Sequence, residues 1–203
     1  MASTLNDGAL LVTPGARLPF TELTRSGGGW TSMNLTGAVP LAVLPTTLCI
    51  GEWYNNSNNT SVPMVMEVES LSAFRLLGTA AANALAIWAQ VTAPKAAPTN
   101  GAVVVGSLSG RAPYTTAAGA RVLVGNGTTV IASGWRPWGT SPMTIATEAA
   151  LPGASWIAEV NGKYLVPPGC SLCITVVGEG ATGTCNVGAT WYETPVSQLS
   201  VVA

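Results

Sequence analysis

CSLCITVVGEGATGTCNVGATWYETP, residues 170–195, holds three of the four cysteines of the chain, and its reading decides the fold. After the turn residues Pro167-Pro-Gly169, residues 170–177 read as an apolar strand. Gly178 to Gly183 read as a turn, and residues 184–193 as the partner strand. Positions three apart on a strand point to opposite faces, so Cys170 and Cys173 should project to opposite sides of the sheet. A redox or zinc Cys-x-x-Cys needs both sulfurs to converge, usually at a turn or helix N-terminus. The spacing therefore speaks for structure rather than chemistry. Cys185, Val187, Ala189 and Trp191 share one face, taken as the core face. Two arrangements remain for Cys173: a cross-strand disulfide with Cys185, or a free buried thiol.

The rest of the sequence removes most chemistry. There is no histidine, which takes away the usual general base and the commonest metal ligand. Without it, a zinc site would need all four cysteines, Cys49 included. Neither a metal, a cofactor nor a catalytic residue is expected. Gly125-Asn-Gly127-Thr-Thr lacks the Lys and the spacing of a phosphate loop and reads as a hairpin turn. Glu67 and Glu69 form the best acid pair. On a regular strand they would share a face about 7 Å apart, near the spacing glycosidases use. The simpler reading is a solvent-facing or subunit-facing side of a strand.

Residues 46–195 read as strand after strand. Thr46 to Tyr54 ends in the turn cluster Asn55-Asn-Ser-Asn-Asn59. In the next run Val62, Met64, Met66 and Val68 alternate against Val65, Glu67 and Glu69, the pattern of a half-buried strand. The alanines of residues 80–90 favour helix, but their neighbours favour a strand of small side chains. Asn161-Gly162, between Trp156–Val160 and Lys163–Val166, reads as a hairpin turn. Residues 1–45 have short apolar runs and a Gly27-Gly-Gly29 joint. They are either one edge strand with loops or an extended arm, with the arm favoured. Phe20, Trp30, Leu35 and Val39 would be its contacts to neighbouring subunits or a shell. Residues 196–203 form a short tail or a last edge strand. The expectation is an all-β antiparallel β-sandwich or jelly roll, residues 46–195, with an extended N-terminal arm.

Composition points to an assembly. Hydrophobic residues make up 48% of the chain and charged residues 8%, with a net charge of -1. So few charges suit a surface that is buried against partners. Eight Lys and Arg, scattered singly, are too few for a nucleic-acid partner. No apolar run is long enough for a membrane span, and no signal peptide is visible at the N-terminus.

The order of motifs carries a resemblance. Glu52-Trp-Tyr-Asn55 is followed by a Gly/Thr/Ala-rich middle, then Asn161-Gly-Lys-Tyr-Leu-Val-Pro-Pro-Gly169, then Thr190-Trp-Tyr-Glu-Thr-Pro195. Over residues 46–195 this resembles a family of virion proteins of tailed bacteriophages, whose members end in a Trp-acidic-x-Pro element after a similar turn. The resemblance implies a β-sandwich subunit on the phage particle, organised like a capsid cement (decoration) protein. Such a protein would be a homotrimer on the capsid surface, in contact with the major capsid protein and with copies of itself. The alternative is a head-fibre, tail or baseplate component with a receptor- or carbohydrate-binding role. Trp135, Arg136 and Trp138, read as one loop, are its candidate surface; the simpler reading is a corner packed on the core or on a neighbouring subunit.

Overall fold

The structure is a computed structural model that describes residues 24, 28–34, 36–46, 49–75, 85–98, 101–103, 122–125, 134–141, 155–178 and 184–198. These residues form ten strands: β1 (Gly29–Met33), β2 (Gly51–Asn55), β3 (Met64–Arg75), β4 (Leu85–Val91), β5 (Ala102–Val103), β6 (Val122–Gly125), β7 (Arg136–Ser141), β8 (Ser155–Val166), β9 (Ser171–Gly178) and β10 (Cys185–Pro195). A four-stranded sheet has the order β1-β10-β3-β8, and a six-stranded sheet the order β5-β6-β2-β9-β4-β7. Every pairing in both sheets is antiparallel.

The pairing follows one rule. With β5 and β6 set aside, eight strands remain in chain order. The first pairs with the last (β1–β10) and the second with the seventh (β2–β9). The third pairs with the sixth (β3–β8) and the fourth with the fifth (β4–β7). This is a ribbon of strand pairs rolled up on itself. Two further pairings, β10–β3 and β9–β4, close it into two sheets. That wrapping is a jelly roll. Strands β5 and β6 lie between β4 and β7 in the chain and extend the larger sheet beyond β2.

Between the sheets lies one apolar core, in which Trp53, Met66, Leu71, Ile87, Leu172, Ile174 and Trp191 are fully buried. Side chains of this size contribute about 1.5–3 kcal/mol each on burial. Alternation selects them: Leu85, Ile87 and Ala89 of β4 point inward, so this stretch is a strand despite its alanines. Gly51 stands where a Cβ would come within 2.8 Å of both the Trp53 ring and Val187 Cγ2. The two sheets approach so closely there that only glycine fits.

Two interruptions of the alternation matter. In β3 the inward positions run Met66, Val68, then Leu71, Ala73. Opposite adjacent Thr190 and Trp191 of β10, β3 places Ser70 and Val68, so Glu69 is an inserted bulge residue. On the other side Val68 faces Tyr164 while Ser70 faces Glu159, so Val160 to Lys163 all lie opposite Glu69. Asn161 (φ 52°) and Gly162 (φ 70°) take up that slack in the left-handed region, which asparagine and glycine tolerate best.

Several expectations are corrected by this topology. Asn161-Gly162 is a bulge inside one continuous strand, β8, and not a hairpin turn; both its flanks pair antiparallel with β3. The two halves of residues 170–195 are not partners. β9 lies between β2 and β4, and β10 between β1 and β3, in opposite sheets. Alternation fixes which face of a strand is buried but not which strand lies beside it. A Cys173–Cys185 disulfide is thereby excluded, since Cys173 points out of the sandwich and Cys185 into its core. All four cysteines are free and buried. Within the expected arm, residues 1–45, Gly29–Met33 is an edge strand of the four-stranded sheet, paired with β10. Val196–Gln198 forms a 3-10 turn, with the Val196 amide donating to the Pro63 carbonyl at 3.0 Å. Residues 1–23, 126–131 and 199–203 lie outside the described residues, and with them the Gly125-Asn-Gly127 hairpin expected around 125–131.

Candidate functional site

The outer faces of the two sheets differ, and the contrast locates the candidate site. The larger sheet is closed by its own chain. After β1, the described residues 36–46 and 49–50 form a strap. It first follows the smaller sheet, where Ala38 exchanges backbone hydrogen bonds with Cys185 of β10, at 2.9 and 2.7 Å, and then reaches the larger one. The Leu41 amide donates to the Val176 carbonyl, and the Gly178 amide donates to the Leu41 carbonyl, both at 2.9 Å. Further on, Pro45 accepts the Trp135 indole N–H at 3.1 Å, and Leu44 packs on Cys49, Trp135 and Cys173.

Beside Cys173 on the same outer face lies a buried polar cluster. Glu52 of β2 is 0% exposed, ion-pairs with Lys95, and accepts the Ser171 hydroxyl at 2.6 Å. The loop that carries Lys95 is fixed by its own backbone: its amide donates to Gly169, and its carbonyl accepts the Tyr54 hydroxyl at 3.2 Å. A Glu–Lys–Ser trio is a possible acid–base and nucleophile set, but Ser171 and Glu52 are both sealed from solvent. That burial, with Lys95 partly exposed above, suits an internal ionic pin. No sequence motif announced it, since Ser171 lies 119 positions from Glu52. The available signal was a single glutamate inside an apolar strand, between Gly51 and Trp53.

The thiols belong to the structural side as well. The Cys49 thiol donates to the Gly51 carbonyl at 3.2 Å. A hydrogen bond to Cys49, followed by burial, pushes the Cys173 thiol far up. Burial pushes Cys185 up to about 11, against a weaker pull from Arg75. Above pH 9 an unfolded thiol loses its proton while the folded Cys185 keeps it until about 11. Stability is therefore complete below that window and falls through it, by up to about 1.4 kcal/mol per pH unit for each such thiol. The urea midpoint in reductant, followed from about pH 8 to about pH 10.5, is expected to fall. A flat profile would contradict thiols held protonated by the fold.

The outer face of the four-stranded sheet is different. Registers across it align Met33–Gly188–Ser72–Ile157, then Thr31–Thr190–Ser70–Glu159, then Gly29–Tyr192–Glu67–Leu165. Ile157 is 68% exposed, Leu165 44% and Met33 41%. Thr31 Oγ1 and Thr190 Oγ1 lie 3.3 Å apart. In these three rows the one exposed charged side chain is Glu159. These rows therefore present small hydroxyl side chains bordered by apolar ones, with one exposed charge among them.

The other candidate residues are placed as follows. Glu67 is buried beside Tyr192 and Leu165 rather than solvent-facing, and the bulge takes Glu69 out of a regular i, i+2 relation with it. Trp30, expected as an arm contact, is 4% exposed and packs in the chain's own core. Val39 is exposed on the strap. Phe20 and Leu35 lie outside the described residues. Trp135, Arg136 and Trp138 are not a loop: Arg136 begins β7, which pairs with β4. Trp135 is buried in the outer cysteine cluster, whereas Trp138 packs against the main core, its ring 5.0 Å from that of Tyr164. Arg136 is exposed and donates to the Trp135 carbonyl. The two indoles lie on opposite sides of the sheet and form no common surface.

Among the described residues no group of three or more His, Cys, Asp or Glu could hold a metal ion. No helix in them is long and apolar enough to cross a membrane. Comparison of the chain with protein-family models, with curated proteins and with solved structures finds no match.

Proposed function

We propose that the chain is a structural subunit of a tailed-phage virion, a capsid cement protein that binds the outside of the shell and stabilises it. The observation that carries this reading is the open, nearly uncharged outer face of the four-stranded sheet on a jelly-roll body. Jelly rolls serve as shell subunits and as lectin domains, among other roles. A fold alone assigns no function, so the face must decide. Interfaces are depleted in charge at their centres and exclude water through flat, complementary packing. The face has that composition, and the whole chain has only 17 charged residues, eight basic and nine acidic. On this reading the chain is a homotrimer on the particle surface, in contact with the major capsid protein. Its chemistry is that of a clamp rather than of an enzyme.

The test joins mass and binding. Light scattering behind a sizing column is expected to give about three times 20.6 kDa. Electron microscopy is expected to show the protein on expanded shells. Ile157→Glu and Leu165→Glu, singly, should weaken assembly or shell binding at least about tenfold, because each buries an uncompensated charge. The fold should survive both, since the two side chains are exposed. A stable monomer that leaves shells bare would overturn the proposal. Any deletion test of an N-terminal arm should stop at residue 27, because removal of residues 1–45 also removes β1.

A further inference from the structure

We propose that Cys49 and Cys173 are a disulfide-forming pair that locks the strap between β1 and β2 onto the central strand of the six-stranded sheet. The two side chains share the outer cluster with Trp135. They reach it by separate routes. Cys173 is an outward position of β9, between Glu52 of β2 and Gln90 of β4. Cys49 ends the strap; its neighbour Ile50 enters the main core, so the Cys49 side chain turns to the outer cluster. The Cys49 side chain is the largest influence that raises the Cys173 thiol, as a close neighbour in the same cluster would be. Cys170 and Cys185 belong to the main core between the sheets, remote from this cluster in the layering of the sandwich.

The step balances with a small-molecule disulfide as oxidant. Two thiols and one molecule of oxidised glutathione give one protein disulfide and two molecules of reduced glutathione. One S–S bond breaks in glutathione, one forms between Cys49 and Cys173, and the two thiol protons pass to the released thiolates. Cys173 is held as the unreactive thiol and both sulfurs are buried, so the folded reduced chain exchanges slowly. Oxidation is rapid only while the strap is open, as it is during folding. The finished bond would tie the strap to β9 without disturbing either sheet, and it would hold independently of what the outer face of the other sheet binds.

The test refolds the reduced, denatured full chain in a reduced/oxidised glutathione buffer, followed by an acid quench. Two of the four thiols should disappear, and the intact mass should fall by two hydrogen atoms. A non-reduced digest should contain one linked pair of peptides, bearing Cys49 and Cys173, that separates on reduction. Cys49→Ser should keep all three remaining thiols. In wild type, oxidation should lower the unfolding constant roughly 30- to 1000-fold, as a long closed loop does. The Cys49→Ser midpoint should not respond to redox conditions. Four free thiols at equilibrium, a glutathione adduct without a cross-link, a bond that includes Cys170 or Cys185, or a link between chains would each overturn the pairing. A correct link with an unchanged midpoint would overturn the lock.

Discussion

Lys95→Met is expected to lower the stability of the fold by about 3–5 kcal/mol, the range found when one partner of a buried ion pair is removed. The reason is what remains. Glu52 is 0% exposed, and its carboxylate would keep the Ser171 hydroxyl while losing the cation that balances its charge. Methionine retains the apolar stem of the lysine, so the loss reports charge rather than packing. Glu52→Gln in the same background should recover part of the loss, because the amide carries no charge to strand. Urea unfolding of the two single variants and the double variant measures the coupling. A loss below about 1 kcal/mol for Lys95→Met would place the pair among solvent-screened ion pairs and remove its role as a pin.

Trp53→Ala should have an effect of similar size, about 3–5 kcal/mol, through a cavity between the sheets. Trp53 is among the largest fully buried side chains, and its ring packs over Gly51. Its indole N–H donates to the Ser32 hydroxyl of β1 at 2.7 Å, so it ties the small sheet to the large one. Ser32→Ala removes only that acceptor and should cost about 1–3 kcal/mol, as a stranded buried donor does. Trp53→Phe separates the two contributions, since it keeps most of the ring and has no donor. A midpoint shift with an unchanged denaturant slope is the expected signature. If Ser32→Ala were silent while Trp53→Ala were severe, the ring would matter through volume alone.

The sequence made the class of fold readable and its wiring unreadable. Alternation in Met66–Val68 and in Cys185–Trp191 marks inward faces from side chains that are neighbours in the chain, and the structure places them inward. Strand partnership depends on residues far apart, so nothing in residues 170–195 tells a hairpin from two strands in opposite sheets. The bulges at Glu69 and Asn161-Gly162 show the same limit. Asn-Gly fits a two-residue turn and a left-handed bulge equally well, and only the register against β3 separates them. The buried trio of Glu52, Lys95 and Ser171 was invisible for a related reason. Each member looks like an ordinary polar residue until the fold brings positions 52, 95 and 171 together. The outer face of the four-stranded sheet could not be read either, because its three rows are assembled from four strands scattered along the chain.

The pairing of first strand with last also sets an order of events at the ribosome. Among the described strands, β1 has β10 alone beside it, and β2 waits for β6 and β9. When β3 leaves the exit tunnel, neither of its partners, β8 and β10, has been made. An apolar strand with two bare edges must therefore stay soluble, or be held by a chaperone, until nearly the whole domain has been synthesised. Contacts of such long sequence separation make folding slow. The cell receives this protein as a late, all-at-once product, and any shortened translation product ending before residue 185 lacks the strand that joins the two ends of the roll.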